Sequence, residues 1–237
     1  MENGWNTSAK AWISHLGEKG DWGRQFVLDP AMERLLKEKG HQRALDIGCG
    51  EGRFCRTLNE WGIKATGIDP TALLIEHAKT LDPDGNYKIA QAERLPFDDK
   101  SFDLVVAYLS FIDIDDIDAA IHEAARVMEP GGRLAIANLT SFNTAGAEIG
   151  WRQNLMGKRT HYPVDRYMEP RDYWISFQGL TIRNWHRPLS QYMTSLLNAG
   201  LTLEAFEEPE PLEAGGLKVK EYRRAPYFNL MIWRKPG

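Results

Sequence analysis

Three glycines at alternate positions, Gly48, Gly50 and Gly52, follow a short apolar run that ends in an acid, Asp46, within Ala44 to Phe54 (ALDIGCGEGRF). Glycine has no Cβ and tolerates positive φ, so such a turn lets a ligand approach the backbone closely. The apolar residues behind it read as a helix, whose first N–H groups face anything anionic. Asp69 ends the next apolar run, where a carboxylate can accept from both hydroxyls of a diol. This is the outline of a nucleotide-type site. Side chains able to move a proton near it are few: Asp113, after the fourth apolar run; His186, in NWHRPLS; and His161, in THYP. A lone histidine more often serves structure than substrate, so the two histidines are weaker candidates than their chemistry alone would make them. His15, His41, His77 and His122 read as surface. Cys49 and Cys55 lack a paired metal-binding spacing, and a disulfide between them would distort the turn, so both are expected as reduced thiols and no metal site is expected.

The elements that must hold these residues alternate. Asn6 to Leu16 reads as a first helix. LDPAMERLLKEKG reads as a second, with Asp29 as N-cap, Pro30 at the first helical position and Gly40 past the end. Strands are expected at Ala44–Asp46, Lys64–Ile68, Tyr87–Ala90, Leu104–Leu109 and Leu134–Ala137, with helices between them. That pattern implies a doubly wound α/β fold, whose ligands lie at the carboxyl ends of the strands. From Asn138 to about Thr181 the periodicity breaks, in a segment rich in Trp, Tyr, Arg and Gly. Pro188 to Ala199 is a helix. Leu201–Phe206 and Tyr227–Trp233 are two strands joined by an acidic loop without a crossover helix, so they should pair antiparallel.

The 237 residues suit a single domain over 1–237. It divides into N-terminal helices (1–40), a ligand-binding core (41–138), an insert (139–185) and a C-terminal helix with two strands (186–237). The net charge is −4 and no Lys/Arg run stands out, so nucleic acid is not the expected partner. No apolar stretch is long enough to span a bilayer, and the first residues lack a basic segment followed by an apolar core. A cytoplasmic protein without a membrane partner is the expectation. The sequence leaves the oligomeric state open.

LDIGCGEGRF, GIDP at the end of the second strand, AERLPFDDKSFDLVVA, and MEPGGRLAIAN occur in that order. With this spacing the chain resembles the class I S-adenosylmethionine-dependent methyltransferases, and within them the ubiquinone/menaquinone-biosynthesis-type and small-molecule enzymes. The resemblance runs from about Arg43 to Asn138 and resumes near His186. It implies a Rossmann-like, mostly parallel seven-stranded sheet with an antiparallel last strand. It also implies S-adenosyl-L-methionine as cofactor, with S-adenosyl-L-homocysteine as product. Asp46, Gly48, Cys49 and Gly50 match the turn around the methionine part. Asp69, followed by Pro70, matches the ribose acid, and Ala92 and Glu93 match the adenine edge. Tyr108 and Ser110 match positions lining cofactor and substrate. The family's N-terminal helices close over the cofactor, which makes Trp12 and Arg24 lid residues, with Arg24 a partner for the methionine carboxylate. The chain has Gln91-Ala92-Glu93 where the family often has Asp-Ala-Glu.

A dinucleotide is the rival ligand. Gly48, Gly50 and Asp69 fit its fingerprint, but Arg53 stands where the third glycine belongs, and Asp46 would repel a pyrophosphate. No Asn/Asp-Pro-Pro-aromatic tetrapeptide follows the fourth strand, which lowers nucleobase and glutamine side chains as acceptors. The expectation is methyl transfer to a small organic molecule at an O, N or C atom, through a pocket walled by some of Trp12, Tyr108, Trp151, Tyr162, Tyr167, Trp174, Trp185 and Tyr192. The alternatives are an RNA or protein methyltransferase, and a cofactor-binding protein without catalysis.

Overall fold

A computed structural model describes residues 3–17 and 19–237, excepting the side chains of His15 and Leu16, so the surface reading of His15 lies outside the described residues. The chain begins with α1 (Trp5–Leu16), followed by a π-helical turn (Arg24–Leu28) that runs straight into α2 (Asp29–Leu36). The alternating core is β1 (Arg43–Ile47), α3 (Arg53–Glu60), β2 (Lys64–Asp69), α4 (Ala72–Leu81), β3 (Asn86–Ile89), β4 (Phe102–Tyr108), α5 (Ile117–Val127) and β5 (Met128–Leu139). After it come α6 (Ser141–Gly146) and two hairpins, β6 (Arg152–Gln153) with β7 (Arg159–His161) and β8 (Arg171–Phe177) with β9 (Leu180–His186). The chain closes with α7 (Leu189–Asn198), β10 (Thr202–Glu207), α8 (Leu217–Arg224) and β11 (Phe228–Arg234).

Seven strands form one sheet in the order β10-β11-β5-β4-β1-β2-β3, with β11 antiparallel to both neighbours and the other pairings parallel. Strand periodicity divides the side chains between two cores. Leu104, Val106, Ala135, Ala137, Leu230 and Ile232 pack on one face with α2 and α3; Val105, Ala107, Leu134, Ile136, Met231 and Trp233 pack on the other with α5 and α7. Both faces are covered, so the central strands are nearly continuous apolar runs. Strand order reverses between β1 and β4, and the loops at their carboxyl ends, residues 48–52 and 109–116, part around a crevice.

Four local expectations change. Asp29 does not cap α2, because the preceding turn is already helical; its carboxylate instead takes both amino groups of Arg53 (2.9 and 3.0 Å) and the hydroxyl of Tyr108 (2.8 Å). The loop between the last two strands does contain a helix, α8, yet β10 and β11 still pair antiparallel. His41 is buried rather than on the surface, drawn 3.6 Å from Asp103, whose carboxylate also accepts from the backbone N–H of Gln42 at the entry to β1. The insert is organised: β9 and α1 are tied together by the Arg183 N–H donating to the Asn3 carbonyl (3.0 Å) and by reciprocal bonds between Ser8 and Thr181. Asp116 caps α5, its carboxylate accepting the Ala119 N–H (3.0 Å).

Candidate active site

The crevice is a cavity of about 510 Å³. Asp46, Gly48, Cys49, Gly50, Asp69, Pro70, Ala92, Glu93, Tyr108, Ser110, Trp12 and Arg24 all line it, as does Asp113.

The glycine turn is shaped by close approach. Gly48, at φ +74°, lies so near the 110 loop that a Cβ would sit 2.4 Å from the Ser110 Cβ, and the Ser110 hydroxyl donates to the Ile47 carbonyl (2.5 Å). Gly50, at φ +57°, differs: a Cβ there would meet nothing nearer than the Trp12 indole nitrogen at 3.9 Å, so the missing side chain leaves backbone bare to the cavity. Cys49 and Cys55 are both buried free thiols, and Gly67 makes room for both sulfurs. Burial and the surrounding carboxylates push the Cys49 thiol up to about 11, so it stays neutral.

The acids around the turn are under-partnered. Asp46 is 1% exposed; its Oδ2 accepts only a long contact from the Cys55 thiol (3.5 Å), and its Oδ1 has no partner. Burial pushes its pKa up to about 7. Glu51, within the turn, accepts the Trp12 indole N–H at Oε2 (3.2 Å), while its Oε1 has no hydrogen-bond partner and lies 4.0 Å from the Arg56 guanidinium. The unpartnered Asp46 oxygen, with a second carboxylate beside the same glycine turn, makes a place for a cationic ligand group. Asp69 is positioned by two backbone donors, Thr71 N–H to Oδ1 (2.8 Å) and Gly50 N–H to Oδ2 (3.0 Å). Those bonds aim the carboxylate while leaving lone pairs for a diol. Its pKa is raised by burial.

Over the turn, Arg24 sits 5.0 Å from the Trp12 ring and 5.7 Å from the Tyr108 ring, and pairs with Asp21. Arg53, where a dinucleotide fingerprint needs glycine, is buried across from α2 in its bidentate bond to Asp29. Burial and the Asp29 charge push the Tyr108 phenol far up, so it is a neutral donor.

Of the three candidate proton-transfer groups, one faces the cavity. Asp113 accepts the Trp5 indole N–H at Oδ2 (3.0 Å), while Oδ1 is buried with no partner. Burial, with a smaller push from Asp69, raises its pKa to about 8 against the pull of the Trp5 bond and of Arg183 and Arg187. His186 is elsewhere: it is fully buried, with Nδ1 2.7 Å from the Thr144 hydroxyl and Nε2 2.8 Å from the Tyr167 carbonyl. Both ring nitrogens are used in tying α6 and the insert to β9, and burial holds its pKa below the usual value. His161 is exposed in a separate cleft of about 360 Å³ with Trp151, Tyr162 and Arg224. Arg187 is structural as well, donating to the carbonyls of Phe111 (3.2 Å), Ile114 (2.5 Å) and Asp115 (2.9 Å) and so fixing the loop that carries Asp113.

Of the aromatic pool only Trp12 and Tyr108 reach the cavity. Trp5, outside that pool, does too, edge-on to Trp12 at 5.4 Å. Glu51 and Arg183 are further lining residues that sequence reasoning did not single out. Glu51 stood in the glycine turn itself and was legible there. Trp5 and Arg183 carried no local signal. Among the described residues no group of His, Cys, Asp and Glu could hold a metal ion, and no helix is long and apolar enough to cross a membrane.

Residues 45–136 match the family model of a methyltransferase domain. The chain is 35% identical over 147 residues to an O-methyltransferase of Aspergillus sclerotiorum, covering 56% of each protein. It is 28% identical over 174 residues to the malonyl-[acyl-carrier protein] O-methyltransferase of Erwinia billingiae, covering 73% of this chain and 65% of that one. The chain thus spans between half and two thirds of the length of these curated relatives. Among solved structures, an S-adenosylmethionine-dependent methyltransferase from Mesorhizobium loti superposes with a TM-score of 0.79 at 27% identity, over 92% of this chain and 100% of that one.

Proposed function

We propose that this chain, which belongs by fold and by its 45–136 domain to the class I S-adenosylmethionine-dependent methyltransferases, methylates a hydroxyl or carboxyl oxygen of a small organic acceptor. Asp113, which lines the same cavity as the glycine turn and has one carboxyl oxygen without a hydrogen-bond partner, carries that reading.

The cavity fits the cofactor on its own terms. The bare backbone at Gly50 admits a close-lying chain, and the Asp46 carboxyl, with an oxygen that has no partner, suits an ammonium. Asp69, already oriented by Gly50 and Thr71, suits a ribose diol, and Ala92 and Glu93, lining the same cavity, are assigned to the adenine edge. When bound, S-adenosylmethionine supplies a methyl group on a good leaving group. The chain's own part is alignment and exclusion of water. Trp5 and Trp12 close the N-terminal side of the cavity, and Arg183 brings the insert to its edge. For a hydroxyl acceptor, Asp113 in its ionised form, held by Trp5 at Oδ2, takes the proton that leaves the oxygen as the methyl group arrives; a carboxylate acceptor has no proton to give up. A poise near neutrality suits a general base. The relatives named as O-methyltransferases support an oxygen acceptor.

The test is calorimetric titration with S-adenosylhomocysteine, followed by transfer of labelled methyl from S-adenosylmethionine to a panel of hydroxylated and carboxylated small molecules. Binding with transfer to oxygen supports the proposal. No binding removes it. Transfer to RNA or protein in place of the panel also removes it, as does binding without transfer to anything tested.

A further inference from the structure

The β6–β7 hairpin plays no part in the cavity, and its tip is built with care. The Asn154 side-chain oxygen accepts the backbone N–H groups of Met156 (3.1 Å) and Lys158 (2.9 Å). The Asn154 N–H donates to the Lys158 carbonyl (3.0 Å), the Gly157 N–H donates to the Asn154 carbonyl (2.9 Å), and Gly157 turns the chain at φ +75°. What this frame holds out is Leu155, fully exposed, and Met156, 87% exposed. Single exposed apolar residues are ordinary. Two adjacent ones on a hydrogen-bonded tip are pre-organised for a contact.

The charge around the tip is one-sided. Between Glu148 and Asp165 the sequence has no acid, while Arg152, Lys158 and Arg159 flank the tip. Neither Arg152 nor Lys158 has an acidic partner among the described residues. Arg159 pairs with Glu221 of α8 (2.6 Å). Arg224 joins the hairpin through the carbonyls of Arg159 (3.2 Å) and Thr160 (2.8 Å), its guanidinium 4.8 Å from the Trp151 ring. Glu221 is the one acid of α8, and the next acids before it in the chain, Glu210 and Glu213, are paired with Arg223. A chain of net charge −4 therefore keeps a local cationic collar around a protruding apolar point.

We propose that this hairpin docks the protein on an anionic lipid surface, with Leu155 and Met156 entering the headgroup–acyl boundary and Arg152, Lys158 and Arg224 against the lipid phosphates. A protein partner of ordinary interface size needs a broad apolar centre inside a polar rim. This surface has the reverse shape, a narrow wedge inside a basic ring, which suits shallow insertion into a fluid interface. The absence of a spanning run, which underlay the expectation of no membrane partner, does not bear on such a contact. The proposal stands apart from the methyl-transfer reading and is read out without catalysis.

The experiment is co-flotation of the full chain with phosphatidylcholine vesicles, with and without phosphatidylglycerol, at low and high salt. Expected is binding to the anionic vesicles alone, weakened by salt. Leu155→Ser with Met156→Ser should lower the partition coefficient at least about tenfold, and Arg152→Ser with Lys158→Ser about as much. Leu81→Ser, at an exposed apolar position on α4, should leave it unchanged. Thermal melting confirms that each variant folds. No binding to anionic vesicles overturns the proposal, as does binding indifferent to the tip substitutions. Loss of a concentration-dependent dimer, or of capture of a purified acidic protein, on tip substitution without any vesicle binding would assign the hairpin to a protein contact and overturn it equally.

Discussion

Replacing Asp113 by Asn separates what the carboxyl costs the fold from what it does for the reaction. The amide keeps the shape, and its oxygen still accepts the Trp5 indole N–H, so the loop has little reason to move. Burial pushes the Asp113 carboxyl up to about 8, against 3.8 for an ordinary Asp. Across that window the folded chain binds a proton that the unfolded chain has released. Stability therefore falls as pH rises from the carboxylate range to about 8, and levels off above it. At pH 7 the full penalty would be about 4 kcal/mol. The side chain is only half-buried, so water screens part of it, and about 2 kcal/mol is the working expectation. Asp113→Asn should thus melt higher than the parent at pH 7, by about 4–8 °C for a chain of this size, and the gap should close towards pH 4. Activity should move the other way. Loss of a general base lowers kcat by about 10²–10⁴-fold. The parent's rise of kcat with pH should also vanish, while S-adenosylhomocysteine affinity by calorimetry stays within a small factor. Paired melting curves and pH–rate profiles measure both halves. A variant as active as the parent with an unchanged pH profile refutes the base assignment; a variant that melts lower at pH 7 refutes the burial argument beneath it.

Three further outcomes follow from the same geometry. Asp69→Ala should weaken S-adenosylhomocysteine binding about 10–100-fold in a calorimetric titration, and unchanged affinity would remove Asp69 from the ribose. Gly48→Ala forces a side chain at φ +74° to within 2.4 Å of the Ser110 Cβ, so it should lower stability by about 1–3 kcal/mol and weaken ligand binding with it; a melting curve identical to the parent's would show that the turn can shift freely. Arg187→Leu leaves the Phe111, Ile114 and Asp115 carbonyls without their donor, which should cost about 3 kcal/mol in denaturant unfolding and reduce kcat more than cofactor affinity, because the loop it fixes carries Asp113 rather than the glycine turn.

The sheet was legible because its information is local. Apart from the polar edge strand β3, the core strands carry short apolar runs set between acids, glycines or prolines, and the glycine-bearing loop after β1 needed only one reading. α8 escaped for the opposite reason. LKVKEYRR carries only Val219 and Tyr222 as buried residues, too few for a helical stripe to stand out beside the acidic loop before it. Asp29-Pro30 looked like a helix start in isolation, but the turn of helix before it removed the need for a cap and freed the carboxylate to hold Arg53 and Tyr108. A capping motif and a salt-bridge partner use the same side chain, and sequence alone does not say which neighbour reaches it first.

The same distinction runs through the site. Residues that would meet the donor lie within a few positions of β1, β2, β3 and β4, so order and spacing brought them together on the page before they met in space. The acceptor side is made of long-range pairs: Trp5 reaches Asp113 across 108 positions, and Asn3 on the N-terminal segment binds Arg183 on the insert. No spacing rule encodes such contacts. His186 shows the error that follows. Placed beside a predicted helix near the substrate region, it had the right chemistry, but both its nitrogens were already bound to Thr144 and Tyr167. Asp113 differs in the respect on which its proposed role rests: it lines the cavity, and packing satisfies one of its oxygens while leaving the other buried without a hydrogen-bond partner. A buried acceptor without a partner raises the free energy of the unliganded chain, and an acceptor molecule that donates there relieves it. Specificity for a hydroxyl over a methyl ether of the same shape should therefore come from Asp113, while Trp5, Trp12 and Tyr108 line the same cavity.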